Sequence, residues 1–267
     1  MNYKMLCSDL DGTLLATKSD VSATAIAEIR RIKDRMKVVL VSARMPKAMY
    51  YIQRDLGILN EPIICYNGAY ILHGGKTLSS TLIPMHLVNS INDLAKAFEI
   101  ALGLYYKHEW YVPGDSERVQ KEIKYTKSAP VFQGTRAVLN DFEKRDIGAH
   151  KIMLMGTKEG TDGIFPELQK TVGTAVHLYR SNDTLIEIAP KSISKLSAIG
   201  SILAEDDSFS DVIAFGDNYN DLEMLQKVGC GVAVENARPE VKAVADHVTL
   251  ANTEDGVAHF IKKNLFI

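Results

Sequence analysis

Leu6-Cys7-Ser8-Asp9-Leu10-Asp11-Gly12-Thr13-Leu14 joins an apolar run to two carboxylates and a glycine. The run from Tyr3 to Leu10 reads as a strand. Side chains alternate along a strand, so Asp9 and Asp11 can leave its carboxyl end on the same side. In an open α/β sheet that edge is where ligands bind. Gly12 lets the chain turn sharply and bring an amide close to an anion. Carboxylates this close repel; a divalent cation would relieve them, and hard oxygen donors suit Mg²⁺. Taken alone, Asp-x-Asp-Gly reads equally well as a polar turn closing a strand, since both residue types favour turns.

Outward from this stretch, short apolar runs alternate with amphipathic segments. Ser22 is placed to cap a helix over Ala23 to Arg35, with Ile26, Ile29 and Ile32 on one stripe. Lys37 to Val41 is the nearly continuous apolar run of a strand covered on both faces. A helix from Lys47 to Leu56 closes at Gly57, and Ile63 to Tyr66 is the next strand. Strand, helix, strand, helix, strand at this spacing predicts a parallel sheet with right-handed crossovers.

The far end follows the same rule. Helices are expected over Ile193–Ala204, Asp221–Lys227 and Pro239–Ala245, with strands over Asp211–Phe215, Gly231–Val234 and Val248–Leu250. The middle differs: long alternating strands such as Leu104–Val112 and Ala175–Tyr179 mix with helices, an α+β pattern with antiparallel strands. The architecture this predicts is one doubly wound α/β domain, residues 1–83 and 184–267, with an α+β domain, residues 84–183, inserted into it.

A second acidic cluster strengthens the first. Gly216-Asp217-Asn218-Tyr219-Asn220-Asp221 follows the apolar strand and opens a helix. Capping alone would explain Asn220 and Asp221, but two buried strands that both end in acid pairs point to convergence. If those strands are neighbours, Asp9, Asp11 and Asp217 meet on a single cation. Ser42-Ala43-Arg44 offers a hydroxyl, amides and a guanidinium near a helix start. Lys195 stands at a helix N-terminus, where the dipole disfavours a cation, so an anion is expected to offset the cost. Each of these taken singly also reads as a solvated surface group.

Composition excludes several classes. The chain has 267 residues, is 46% hydrophobic and 24% charged, and carries a formal charge of −2, which is globular and too apolar for disorder. Without a long basic run, nucleic acid and anionic membrane are not expected partners. No stretch is long and apolar enough for a membrane span or leader, so a soluble, cytoplasmic protein is expected. Cys7, Cys65 and Cys230 are scattered, without Cys-x-x-Cys pairing, and read as small buried thiols. Gly74-Gly75-Lys76-Thr77 falls short of a phosphate-binding loop because Tyr70 stands where its first glycine is required. Gly229-Cys230-Gly231 likewise has Val234 in place of the third glycine of a dinucleotide fingerprint.

Asp9-Leu10-Asp11-Gly12-Thr13, Ser42, Lys195 and Gly216-Asp217-x-x-Asn220-Asp221, in this order, resemble the four motifs of the haloacid dehalogenase superfamily. Ser42 follows Asp11 too closely for an inserted domain, whereas the stretch from Ser42 to Lys195 has room for one. A cap in that position resembles the Cof-type, or IIB, phosphatases. Asn67-Gly68-Ala69, Gly231 to Ala237, Ala245 to Thr249 and Glu254 to Val257 extend the likeness over all but the cap. Two departures stand out: Ser42-Ala43-Arg44 replaces the usual Thr-Gly-Arg, and Leu196 follows Lys195 where glycine is common. Ser42 keeps the hydroxyl, and neither change touches a carboxylate.

The resemblance implies roles. Asp9 would be the nucleophile and Asp11 the acid, then the base. Mg²⁺ would be held by Asp9, the Asp11 main-chain carbonyl and Asp217, with Asp221 on a metal-bound water. Ser42, Lys195, Asn220 and the amides near Leu10 and Ala43 would grip the phosphoryl oxygens. Arg44 and, in the aromatic cap segment Tyr105 to Tyr111, His108 are candidates for the substrate. The implied activity is hydrolysis of a small phosphorylated metabolite, sugar phosphates foremost. Within the cap segment, alternate residues packing inward is the plainer expectation, and Lys121, Lys124 and Lys127 read as a wet helical face. A phosphosugar mutase would use the same phosphoryl-aspartate. A receiver-type signalling module or a non-catalytic phosphate-ester binder would share some of the groups.

Overall fold

A computed structural model describes residues 3–17 and 19–265. In chain order its elements are β1 (Met5–Ser8), α1 (Ala23–Ile32), β2 (Lys37–Val41), α2 (Lys47–Leu56), β3 (Ile63–Cys65), β4 (Tyr70–His73) and β5 (Lys76–Ser80). Then come α3 (Met85–Ala97), β6 (Ala101–Tyr106), β7 (Glu109–Val112), α4 (Glu117–Thr126), β8 (Val131–Phe132), α5 (Thr135–Lys144), β9 (Lys151–Met155), α6 (Lys158–Val172), β10 (Val176–Asn182) and β11 (Leu185–Pro190). The chain closes with α7 (Lys195–Gly200), β12 (Val212–Gly216), α8 (Leu222–Lys227), β13 (Cys230–Ala233), α9 (Pro239–Val244), β14 (His247–Val248) and α10 (Gly256–Asn264). These form two compact units, Met1–Leu78 with Ser194–Ile267, and Ser79–Ile193.

The first unit is an eight-stranded sheet in the order β14-β13-β12-β1-β2-β3-β4-β5. From β14 to β3 every pairing is parallel, as expected where strands are continuous buried runs. Strand order reverses direction at β1: β2 and β3 lie on one side, β12 and β13 on the other. That reversal is the topological switch point at which doubly wound sheets open a crevice. The Ser22 hydroxyl accepts from the Ala25 N–H at 3.0 Å, and Gly57 ends α2 with φ +75°. The parallel expectation stops at β3, which pairs antiparallel with β4. The turn Tyr66-Asn67-Gly68 between them is far too short for a parallel crossover. Helix α7 is also shorter than the sequence reading of Ile193–Ala204.

The second unit is a six-stranded sheet in the order β10-β11-β9-β6-β7-β8, antiparallel except between β7 and β8. Helices α3, α5 and α6 pack one core with the strands, through residues such as Ile91, Phe142, Ile164, Leu104, Ile152 and Ile186. The stretch read as one strand over Leu104–Val112 is a hairpin, with Lys107 at φ +49° in its turn. Strand β11 pairs with β9, which carries the second unit past residue 183. Among the described residues, no helix is long and apolar enough to cross a membrane.

Candidate active site

Strands β1 and β12 end side by side, and the Asp9 N–H donates to the Phe215 carbonyl at 3.0 Å. After β1 the chain folds into a tight turn over Leu10–Leu14, with Gly12 at φ +86°. A side chain at Gly12 would be strained by that φ, and its Cβ would lie 2.6 Å from Asp217 Oδ2. Glycine at this position therefore suits both the turn and the close approach of Asp217.

Lys195 is fully buried at the start of α7 and bridges Asp9 Oδ1 and Asp221 Oδ1, at 2.6 Å each. These two carboxylates offset the cost of a cation at that helix end. Burial alone would push the ammonium down in pKa; Asp221 and Asp9 outweigh it and hold Lys195 above its ordinary value. The other oxygen of Asp221 accepts from the Asp217 and Asn218 amides, at 3.0 and 3.1 Å. Both Asp221 oxygens are thus engaged, and the residue buttresses the site.

Asp9, Asp217 and Asp221 bring carboxylate oxygens within 4.8 Å of one another. Burial, with Asp221 and Asp217 adding repulsion, raises Asp9 well above the ordinary carboxylate range despite Lys195. Burial and then Asp221 push Asp217 up to about 7, against the pull of Lys195 and of Thr13, whose hydroxyl donates to Asp217 Oδ1 at 3.0 Å. Anions held this close and this deeply would be relieved by a cation, and an all-oxygen donor set suits a hard divalent ion. The residues present fit such a metal.

Other predicted groups take definite places. Ser42 is buried, and its hydroxyl accepts from the Arg44 N–H at 3.2 Å. Arg44 turns to Asp11: its Nε donates to Oδ2 at 2.7 Å and its Nη2 to Oδ1 at 2.6 Å. Asn220 Nδ2 donates to Asn67 Oδ1 at 3.0 Å. Leu10 is buried and Ala43 half-buried. His108 belongs to the second unit, in the β6–β7 turn. In the same segment Tyr105 and Trp110, partners across the hairpin, are buried and stacked, with ring centroids 5.4 Å apart; buried residues alternate in β7 but run consecutively through most of β6.

Sequence reasoning gave no role to Asn67, Thr13 or Asn236. Asn67 sits at φ +57°, where its amide donates to the Ser42 carbonyl at 2.9 Å and its side chain receives Asn220. The Asn67-Gly68 pair was the available signal, because these residues tolerate left-handed backbone. Asn236 Nδ2 donates to the Gly12 carbonyl at 2.8 Å; spacing alone gave no sign of it.

A family model described as haloacid dehalogenase-like hydrolase matches residues 6–261. A Haemophilus influenzae protein named as a candidate phosphatase is 31% identical over 98% of each chain. The 5-amino-6-(5-phospho-D-ribitylamino)uracil phosphatase of Bacillus subtilis is 28% identical, over 97% of this chain and 96% of its own. A solved haloacid dehalogenase-like hydrolase from Bacteroides thetaiotaomicron superposes with TM-score 0.87 at 29% identity, over 98% of this chain and 99% of that one. The chain belongs to the haloacid dehalogenase-like hydrolases, in their Cof-type branch, and is an enzyme of the phosphatase kind.

Proposed function

We propose that this hydrolase is a Mg²⁺-dependent phosphatase of small phosphate monoesters, sugar phosphates foremost, acting through a phosphoryl-aspartate on Asp9. The observation that carries the reading is Lys195 buried between Asp9 and Asp221, beside Asp217, at the switch point of the sheet. An Asp9 carboxylate oxygen attacks phosphorus, the bond from phosphorus to the ester oxygen breaks, and Asp11 gives that oxygen its proton. Water then attacks phosphorus, its proton passes to Asp11, and the bond to Asp9 breaks to release inorganic phosphate. One residue serves both steps, because an acid that has given up its proton is the base for the next.

Ser42, Lys195, Asn220 and the amides near Leu10 and Ala43 grip the phosphoryl oxygens, the positioning and charge stabilisation on which phosphoryl transfer depends. Asp9, Asp217 and the Asp11 main-chain carbonyl would hold Mg²⁺, with Asp221 on a metal-bound water, and the ion when bound would neutralise phosphoryl charge. The choice of substrate is assigned to the second unit, Ser79–Ile193, with His108 its candidate residue. The Bacillus relative is named for 5-amino-6-(5-phospho-D-ribitylamino)uracil, whose phosphate sits on a polyol chain, and this supports a small phosphate monoester of that kind. The proposed setting is the cytoplasm, supported by three free and buried cysteines.

The test is rapid acid quench during turnover of a phosphate-labelled ester, followed by peptide mass analysis. Label on the peptide holding Asp9 is expected. A burst of alcohol with no labelled protein would overturn the covalent route.

A further inference from the structure

We propose that Arg44, anchored by Tyr51, is a positioning residue that sets the orientation of the Asp11 carboxylate for proton transfer. The inference rests on the reading of Asp11 as the group that handles the leaving group's proton. The sequence makes Arg44 a candidate for the substrate; in the structure its guanidinium makes two bonds, one to each oxygen of Asp11.

The asymmetry of the pair is informative. Arg44 has only 4% of its side chain exposed, whereas Asp11 has 50%. Burying a guanidinium is costly unless its donors are met in good geometry. Here they are met on both sides. Nε and Nη2 fork onto Asp11, while Nη1 donates to the Tyr51 hydroxyl at 3.2 Å. Tyr51, on α2, in turn donates to the Ser19 carbonyl at 2.6 Å. The Arg44 main-chain N–H is held by Ser42 Oγ. The arginine is thus fixed at several points, and the exposed aspartate takes its orientation from it.

A lone aspartate on an exposed turn rotates about two side-chain bonds; a planar fork fixes both rotations at once. The fork uses one lone pair on each Asp11 oxygen, so a second remains on each to exchange a proton with an ester oxygen or a water. Lysine would keep the charge but not the fork, and so separates attraction from orientation.

The leaving group reads out this role. Loss of p-nitrophenolate needs little protonation, whereas loss of an alkoxide needs a well-aimed acid. The ratio kcat/KM covers only the steps through leaving-group departure. In Arg44→Lys, kcat/KM for an alkyl ester such as a hexose 6-phosphate is expected to fall by about ten- to a hundredfold, against less than about threefold for p-nitrophenyl phosphate. Inhibition by inorganic phosphate should stay within about twofold. Tyr51→Phe should shift the same ratio in the same direction, by about threefold, and decides the matter if Arg44→Lys does not fold. Equal losses on both esters, a large rise in the phosphate inhibition constant, or no loss would overturn the assignment. Failure of the unmodified enzyme on both esters would instead remove the reading of Asp11 itself, and this inference with it.

Discussion

In the first unit Lys195 lies buried between Asp9 and Asp221, residues delivered by the end of β1 and the approach to α8. In the second unit Lys151 lies buried against Glu187 at 2.9 Å, with its ammonium 4.7 Å from the centre of the Tyr105 ring. Both lysines are desolvated and both are paired, yet their surroundings differ. Strands β1, β2 and β12 run parallel, so each ends at the same edge and sheds its polar residue there. Strands β9 and β11 are antiparallel neighbours, with Glu187 opposite Met153, so Lys151 and Glu187 meet across the sheet face as a diagonal cross-strand pair. Chain direction, more than the stock of buried charges, decides where groups far apart in sequence can gather.

The sharpest way to break this contrast is to remove one charge from the gathered set. Asp9→Asn keeps the shape and the hydrogen-bonding size of the side chain but not the nucleophile. Turnover of p-nitrophenyl phosphate should fall by at least about a thousandfold, with an unchanged circular dichroism spectrum. An Asp9→Asn protein that retains most of its activity would contradict the role given to this strand end.

Next in size is a matched pair of deletions read by denaturant unfolding in EDTA. Lys195→Met leaves two facing carboxylates without their cation and should cost about 3–5 kcal/mol. Lys151→Met leaves only Glu187, which is partly exposed and still receives the Ser181 hydroxyl; about 1–2 kcal/mol is expected. Equal costs would mean that the two buried lysines do the same structural work.

The pH dependence should also separate the units. Asp217, pushed from 3.8 to about 7, keeps its proton when folded at pH values where the unfolded chain has lost it. Folding then takes up protons, so this residue lowers stability as pH rises from about 4 to about 7. For Glu187, burial pushes upward but Lys151 outweighs it and holds the group down. Its contribution is therefore present above the ordinary carboxylate pKa and lost on acidification. A cation on the first cluster removes the Asp217 penalty, so Mg²⁺ should raise Tm by several degrees more at pH 7.5 than at pH 5. An equal gain at both values would sever the link between the carboxylate cluster and metal binding.

The sheet of the first unit was legible because buried parallel strands announce themselves as apolar runs, and Asp9 and Asp217 because an acid directly after such a run has one edge to occupy. The hairpin turn at Lys107-His108 was not legible, since lysine, the residue at positive φ, does not signal left-handed backbone. Nor was the partner of Arg44: a guanidinium near a helix start suits an anion of either origin, and only the folded chain shows that the anion is Asp11. Likewise a lysine at a helix start calls for an anion, and sequence does not show that Asp9 and Asp221 both reach Lys195. Side chains on a strand end follow from local pattern; contacts between strand ends need the strand order.

The most direct test of the account is steady-state phosphate release across Mg²⁺ concentrations for the unmodified enzyme and for Asp217→Ala. The account predicts no turnover in EDTA, saturable activation of the unmodified enzyme, and at least about a tenfold higher Mg²⁺ requirement for Asp217→Ala. Turnover undiminished in EDTA, or superimposable Mg²⁺ curves for the two proteins, would contradict the claim that the gathered strand ends are a metal-assisted phosphoryl-transfer site.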